Sequence, residues 1–409
     1  LDESQQQRLL QIERPRLLQS GLKLGCWTGY EPPPGDQIWL LTPEQLLEAH
    51  HSGQLRPEDH LVIPEAEWLP SRLRHAMTVQ IDACHWEQLR AAFPSAGKGL
   101  LDLHERLSRQ LVVLGGGANR DLVMPESALT MVRDLLQLLG STPAPWCQLM
   151  SMEQTSWASW ARMDPVTLQW CWQLQPLEPV IALDPLFSSH PWTLIHVDGG
   201  CRRHGEARGT AGDELQIDLR DAPRGEPLPI YLPRRQPLPN TEIFADHLLE
   251  QSRRLILGRS GLTAVLVNPP RMRQRLCSEL AAEFGSRVTL ESTAPETNGV
   301  VCCSWGWWLS HQHLLPEPEQ LIAGMLPIAS REDPLTAARV ESLKRQGRDW
   351  FRSLLLPEAL AILIPAIASL RQSGGRLAIL DGRVRGRSWG EHVLRALEPW
   401  EALQRLRPD

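Results

Sequence analysis

Tyrosine is nearly missing from this chain, where two Tyr and five Phe stand beside sixteen Trp. The surplus of Trp has two readings, base-stacking platforms or filled core and interface positions, and the second is favoured because Trp is highly buried on average. Cysteine pairs at metal-ligand spacing are also absent. The eight Cys, at 26, 84, 147, 171, 201, 277, 302 and 303, include no C-x-x-C pair. That excludes the common zinc and haem frameworks and reads as reduced, mostly buried thiols of a cytoplasmic protein. Basic charge is not in excess, with 42 Lys and Arg against 48 Asp and Glu for a net −6. A generally basic coat is excluded, and any nucleic-acid contact has to come from a local patch.

Long hydrophobic runs are lacking too. The strongest, Leu354 to Leu370, contains Pro357, Glu358 and Pro365 and falls short of the roughly 20 residues that cross a bilayer, so it reads as a buried helix and no membrane partner is expected. The opening LDESQQQRLLQIERPRLLQ is charged and amphipathic, without the apolar region of a signal peptide. Because the chain starts with Leu, a missing upstream segment is expected. No Gly-x4-Gly-Lys-Ser/Thr phosphate loop occurs. The nearest string, Ser95-Ala96-Gly97-Lys98-Gly99, lacks the upstream Gly and the hydroxyl and reads as a surface loop. Neither a G-x-S-x-G elbow nor an H-E-x-x-H helix is present.

What is present is an alternation of strand and helix patterns. A chain of 409 residues calls for two or three domains. Over 1–72, short runs such as Ile38-Trp39-Leu40-Leu41 and Leu61-Val62-Ile63 alternate with helical patterns such as Pro43 to His50. The stretch 73–160 is mostly helix-like and is expected to be a helical insertion. The stretch 161–239 is rich in Pro, Gly and Asp and reads poorly, with strand candidates at Leu168–Leu174, Trp192–Val197 and Pro229–Leu232. From 240 to 409 a second alternation runs through strands at Thr263–Val267, Arg287–Leu290, Gly299–Cys303, Leu321–Met325 and Leu377–Leu380, with helices between them and a last helix from Gly390. Such alternation predicts an α/β lobe with a parallel sheet.

Several residues could carry chemistry. Gly115-Gly116-Gly117 after an apolar run could cradle an anion or be a turn. His196-Val197-Asp198 and the pair His311 and His313 bring too few partners for a metal sphere, so no metal is expected. Basic residues crowd the end of the chain. Between Arg339 and Arg395 lie Arg339, Lys344, Arg345, Arg348, Arg352, Arg371, Arg376, Arg383, Arg385, Arg387 and Arg395 against five acids. Arg383, Arg385 and Arg387 with Trp389 combine phosphate-neutralising charge with a stacking ring, or else form a solvated face.

Met325-Leu326-Pro327-Ile328, Asp333-Pro334-Leu335, Ala338-Arg339, Leu343-Lys344, Trp350-Phe351, Leu356-Pro357-Glu358-Ala359 and Ile379-Leu380-Asp381-Gly382-Arg383, followed by Arg387, Trp389 and Gly390, resemble in order and spacing the second motor lobe of DinG/XPD-type superfamily 2 DNA helicases. The opening segment is similar to a cyanobacterial type of DinG-like protein. The resemblance implies two RecA-like parallel-sheet lobes with a P-loop NTPase-like fold, the first incomplete, and places the P-loop before residue 1.

The resemblance also implies where ATP chemistry would sit. Aligned on Leu356-Pro357, the helicase motif Gln-Gly-x-Gly-Arg-x-x-Arg meets Pro365, Ala366, Ala368, Ser369 and Gln372, so both ATP-facing arginines are replaced. Arg371 is adjacent, but one residue of helix offset turns a side chain by about 100°. Losing such a clamp costs about three or more orders of magnitude in phosphoryl transfer. Ile63-Pro64-Glu65-Ala66-Glu67 resembles the DEAH box with Pro64 at the Asp and Glu67 at the His, leaving Glu65 as the residual catalytic position. Ser304-Trp305-Gly306-Trp307-Trp308 stands near motif V without its Asp. Only Cys26 precedes the DEAH-like segment, so no iron–sulphur cluster is expected.

Three functions follow. The favoured one is a helicase-derived protein that binds nucleic acid, single-stranded DNA in particular, through Arg383, Arg385, Arg387 and Trp389, with weak or lost ATP hydrolysis. The first alternative is an active ATP-dependent helicase, with ATP and magnesium as cofactors, an upstream P-loop and Arg371 as finger. The second is a protein-interaction scaffold.

Overall fold

The computed structural model describes residues 1, 3–35, 37–114, 121–152, 156–164, 166–196 and 226–403. The glycine triplet 115–117, Val197, Asp198 and Cys201 lie outside them. The chain divides into two compact units. One comprises Leu1–His196 with Ser330–Arg348, and the other Val197–Ala329 with Asp349–Asp409.

In the first unit two short parallel pairs form. Strand β1 (Cys26–Trp27) pairs with β2 (Ile38–Trp39), and β3 (Leu61–Ile63) pairs with β8 (Trp192–Leu194). Between β3 and β8 the chain builds an antiparallel sheet in the order β4 (Val79–Ile81), β7 (Trp170–Pro176), β6 (Trp157–Met163), β5 (Asp121–Val123). The stretch 73–160, expected to be mostly helical, also carries strands. Strands β4 and β5 and the start of β6 fall there, and β4 and β5 are three residues long, too short to show a period of two beside helices of 14 and 18 residues. Alternation along β6 puts Ala161 and Met163 against the core that Leu100, Leu103, Leu107 and Leu111 of the helix Gly97–Leu114 enter. Ala158 and Trp160 face the other way, where Leu335 and Ala338 cover them. The string Ser95–Gly99, expected as a loop, forms a 3-10 turn and the first turn of that helix.

Leu335 and Ala338 belong to the helix Pro334–Arg345, started by the Asp333 carboxylate, which accepts from the Thr336 N–H at 2.8 Å. This segment was expected inside the lobe 240–409 but joins the first unit. Its apolar stripe has a sheet face there to bury against.

The second unit is a seven-stranded, wholly parallel sheet in the order β11 (Val288–Leu290), β12 (Val300–Cys303), β10 (Leu262–Leu266), β13 (Pro318–Ala323), β14 (Arg376–Ile379), β9 (Leu228–Tyr231), β15 (Trp400–Ala402). Side chains from both faces are buried, with Ala264, Leu266 and Leu321 on one and Val265, Cys302 and Ile322 on the other. The central strands consequently read as unbroken apolar runs. Here too the boundary at 240 shifts. Strand β9 belongs to this sheet, set apart in sequence by the Pro-rich stretch 232–239, and β15 follows the last helix, Gly390–Ala396. Among the described residues no helix is long and apolar enough to cross a membrane. The run Leu354–Leu370 is a π-turn at Phe351–Leu355 followed by two helices, Leu356–Ala366 and Ala368–Gln372.

Candidate nucleic-acid interface and motor positions

In the first unit the DEAH-like segment leaves the end of β3. Pro64 offers no metal ligand, and Glu65 takes a left-handed conformation, φ 48° and ψ 53°, which costs a non-glycine residue about 1–3 kcal/mol. The helix Leu69–Ala76 brings Arg72 back, so its Nη2 lies 2.6 Å from Glu65 Oε2, and Gln5 Nε2 donates to the same oxygen at 2.5 Å. The carboxylate that the resemblance assigns to water activation is thus held in an ion pair by the chain's own arginine. Glu67, at the position of the family's His, is 9% exposed with Oε2 3.6 Å from His196 Nδ1. Among the described residues no group of three or more His, Cys, Asp or Glu could hold a metal. His311 sets Nδ1 2.8 Å from the Trp307 carbonyl and stacks on that ring at 4.5 Å, while His313 is exposed in the next turn.

In the second unit the altered positions sit before β14. Ser369, where the first ATP-facing arginine would be, donates through Oγ to Gln312 Oε1 at 3.2 Å. Gln372 is exposed. Arg371 turns elsewhere, donating to the carbonyls of Leu397 and Pro399 beyond the last helix. Ala366 is fully buried, and its carbonyl accepts from Trp308 Nε1 at 2.9 Å. Trp308 and Trp305 are buried on the helix Trp305–His311, which Ser304 caps by accepting from the Trp307 N–H. The motif V-like string therefore supplies core packing. Behind it lies a polar cluster that sequence reading missed. Glu291, left-handed at φ 48°, accepts from Ser304 N and Oγ at 3.1 and 2.9 Å and pairs with Arg273 Nε at 3.3 Å.

After β14 the pattern reverses. Asp381 is fully buried, accepts from the Leu326 N–H at 2.9 Å, and holds the Arg383 guanidinium by Nε at 2.9 Å and Nη2 at 2.6 Å. Leu326-Pro327 and Leu380-Asp381-x-Arg383, separate pieces in sequence, are joined by that carboxylate. Arg383, expected to meet nucleic acid, instead serves as its counter-ion. Trp389 is half-buried against Phe351, ring centroids 5.1 Å apart, and belongs to the rim of the core rather than to a free stacking surface. Arg385 and Arg387 are exposed, Arg385 donating to the Leu232 carbonyl at 2.9 Å. A Cβ on Gly390 would run into the Val384 carbonyl, which explains why glycine follows Trp389.

The turn 381–387 packs against the loop after β9. A Cβ on Gly382 would stand 2.5 Å from the Gln236 and Pro237 carbonyl oxygens. That loop carries Arg234 and Arg235, both exposed, which sequence reading passed over as part of a Pro-rich patch. The basic run itself is divided. Arg339, Lys344, Arg345 and Arg348 lie in the first unit, and Arg352, Arg371, Arg376, Arg383, Arg385, Arg387 and Arg395 in the second. Of the latter, Arg376 donates to Gln320 Oε1 at 2.6 Å. The two best-formed cavities, one within each unit, have volumes of about 10 Å³, space for no more than a water molecule.

No family model matches the chain. Over 130 residues, 31% of this chain and 20% of the relative, it is 28% identical to the ATP-dependent DNA helicase YoaA of Haemophilus influenzae. The matched part therefore spans about a fifth of that relative's length. A structure of S. tokodaii Xpd4 matches with a TM-score of 0.58 at 15% identity, covering 96% of this chain and 87% of that one. Along nearly all of its length the chain shares the fold of that Xpd4 structure, and over 130 residues its sequence is similar to that of a DNA helicase.

Proposed function

We propose that this protein is a DinG-like helicase relative that binds nucleic acid, single-stranded DNA in particular, and hydrolyses ATP weakly or not at all. One observation carries the second half of that reading. Where the resemblance calls for arginines that reach ATP phosphates, Ser369 is bonded to Gln312, and the neighbouring Arg371 is committed to the Leu397 and Pro399 carbonyls. The ion pair of Glu65 with Arg72 supports it from the other unit. Binding is supported by the exposed Arg385 and Arg387 in the turn beyond the end of β14, since arginine forks match phosphate oxygens.

The test is ATP turnover by the full-length open reading frame, with and without single-stranded DNA. The expected result is no stimulation by DNA and no change in Glu65→Gln. Stimulated turnover that disappears in Glu65→Gln would overturn the reading in favour of an active motor.

A further inference from the structure

We propose that Arg234 and Arg235 join Arg385 and Arg387 in one phosphate-binding edge, which grips a nucleic-acid strand through its backbone without stacking on its bases. This rests on the nucleic-acid reading above and assigns it a surface. The four residues come from two segments about 150 positions apart that the fold sets together at the ends of β9 and β14, neighbours in the parallel sheet. Three features fix the pairing. Gly382 has no room for a Cβ against the backbone of 236–237, Arg385 donates to the Leu232 carbonyl, and Gly386 approaches Leu238.

All four arginines are exposed, and among the described residues none of the four has a carboxylate partner. Asp381, four residues before Arg385, is buried and already matched by Arg383, and the exposed Glu391, four residues after Arg387, forms no ion pair with it among the described residues. Pro233, Pro237 and Pro239 restrict the loop's backbone, so less conformational entropy is lost when a ligand orders it. Rigid forks that donate to two phosphate oxygens suit a phosphodiester chain. The ring nearest to Arg387 in sequence, Trp389, is half-buried against Phe351.

The experiment measures fluorescence anisotropy of the full chain on a labelled thymidine oligonucleotide and on an abasic strand of equal length, across a salt series. Wild type is expected to bind both. Arg234→Ala with Arg235→Ala is expected to weaken binding about tenfold or more, and to flatten the plot of log affinity against log salt by about 1.4, roughly 0.7 for each single-strand phosphate that is no longer neutralised. Arg385→Ala with Arg387→Ala should do the same, while Arg234→Lys with Arg235→Lys should keep the slope. Unchanged unfolding midpoints would show that the variants fold.

Strand binding by wild type with unchanged affinity and slope in Arg234→Ala with Arg235→Ala overturns this inference and leaves the proposed function standing. Failure of wild type to bind either strand overturns both. Binding to the thymidine strand but not the abasic one overturns the backbone-only grip. Displacement of the strand by polyglutamate at equal charge concentration would assign the edge to an acidic peptide instead.

Discussion

Two segments flank strand β14, and they have been treated in opposite ways. Before it, from Pro365 to Gln372, positions of the resembled motif hold Pro, Ala, Ser and Gln, and the buried Trp308 donates its indole N–H to the Ala366 carbonyl. After it, from Asp381 to Gly390, a buried carboxylate and its arginine remain in full contact, and glycines stand where backbones touch. The contrast separates residues that hold the sheet together after β14 from those that the resemblance turns toward a ligand before it. An ion pair such as Asp381–Arg383 is kept because removing either partner strands the other. A ligand-facing arginine leaves no such debt inside the fold.

The comparison breaks first at Trp308. Trp308→Ala empties a fully buried site and unpairs the Ala366 carbonyl, so urea unfolding is expected to show a loss of about 3–5 kcal/mol in the second unit. A loss below about 1 kcal/mol would mean that the Trp filling is incidental. Asp381→Ala comes next, at about 3 kcal/mol by the same assay, because it leaves Arg383 without its counter-ion and the Leu326 N–H without its acceptor. The figure sits at the low end because Arg383 keeps partial contact with solvent, its side chain being 23% exposed.

Gly390→Ala should cost about 2 kcal/mol, since the Val384 carbonyl must move to admit a methyl group; a neutral result in thermal unfolding would remove the packing explanation for that glycine. The smallest effect is expected from installing the arginines of the resembled motif. Ser369→Arg with Gln372→Arg should leave ATP turnover at the wild-type level, because Glu65 stays paired with Arg72; turnover that rises with both arginines in place would show that two substitutions alone silenced the motor.

Much of the second unit could be read from its sequence. Strands buried on both faces, such as Leu262–Leu266 and Val300–Cys303, appear as plain apolar runs, and the helices between them have an ordinary length. Of the antiparallel sheet of the first unit only β7 was legible, as the candidate Leu168–Leu174, because three-residue strands carry no period and β6 is separated from β5 by two helices. At the candidate interface, Arg385 and Arg387 were legible as dense charge. The burial of Asp381 was not, and that burial is what ties the Arg383 guanidinium down as a counter-ion. Arg234 and Arg235 were concealed by distance along the chain, since only the adjacency of β9 and β14 brings them beside the turn.

The helix Pro334–Arg345 has a consequence for how the chain is made. It covers Ala158 and Trp160 of the first unit but follows strands β9 to β13 of the second. During synthesis from the N-terminus, that face of the antiparallel sheet stays bare while β9, β10, β11, β12 and β13 emerge. A nascent chain halted before residue 334 would carry an unsatisfied apolar surface, the kind of surface that chaperones bind and that seeds aggregation. Completion of the first unit is therefore an event late in translation, although most of its residues are made early.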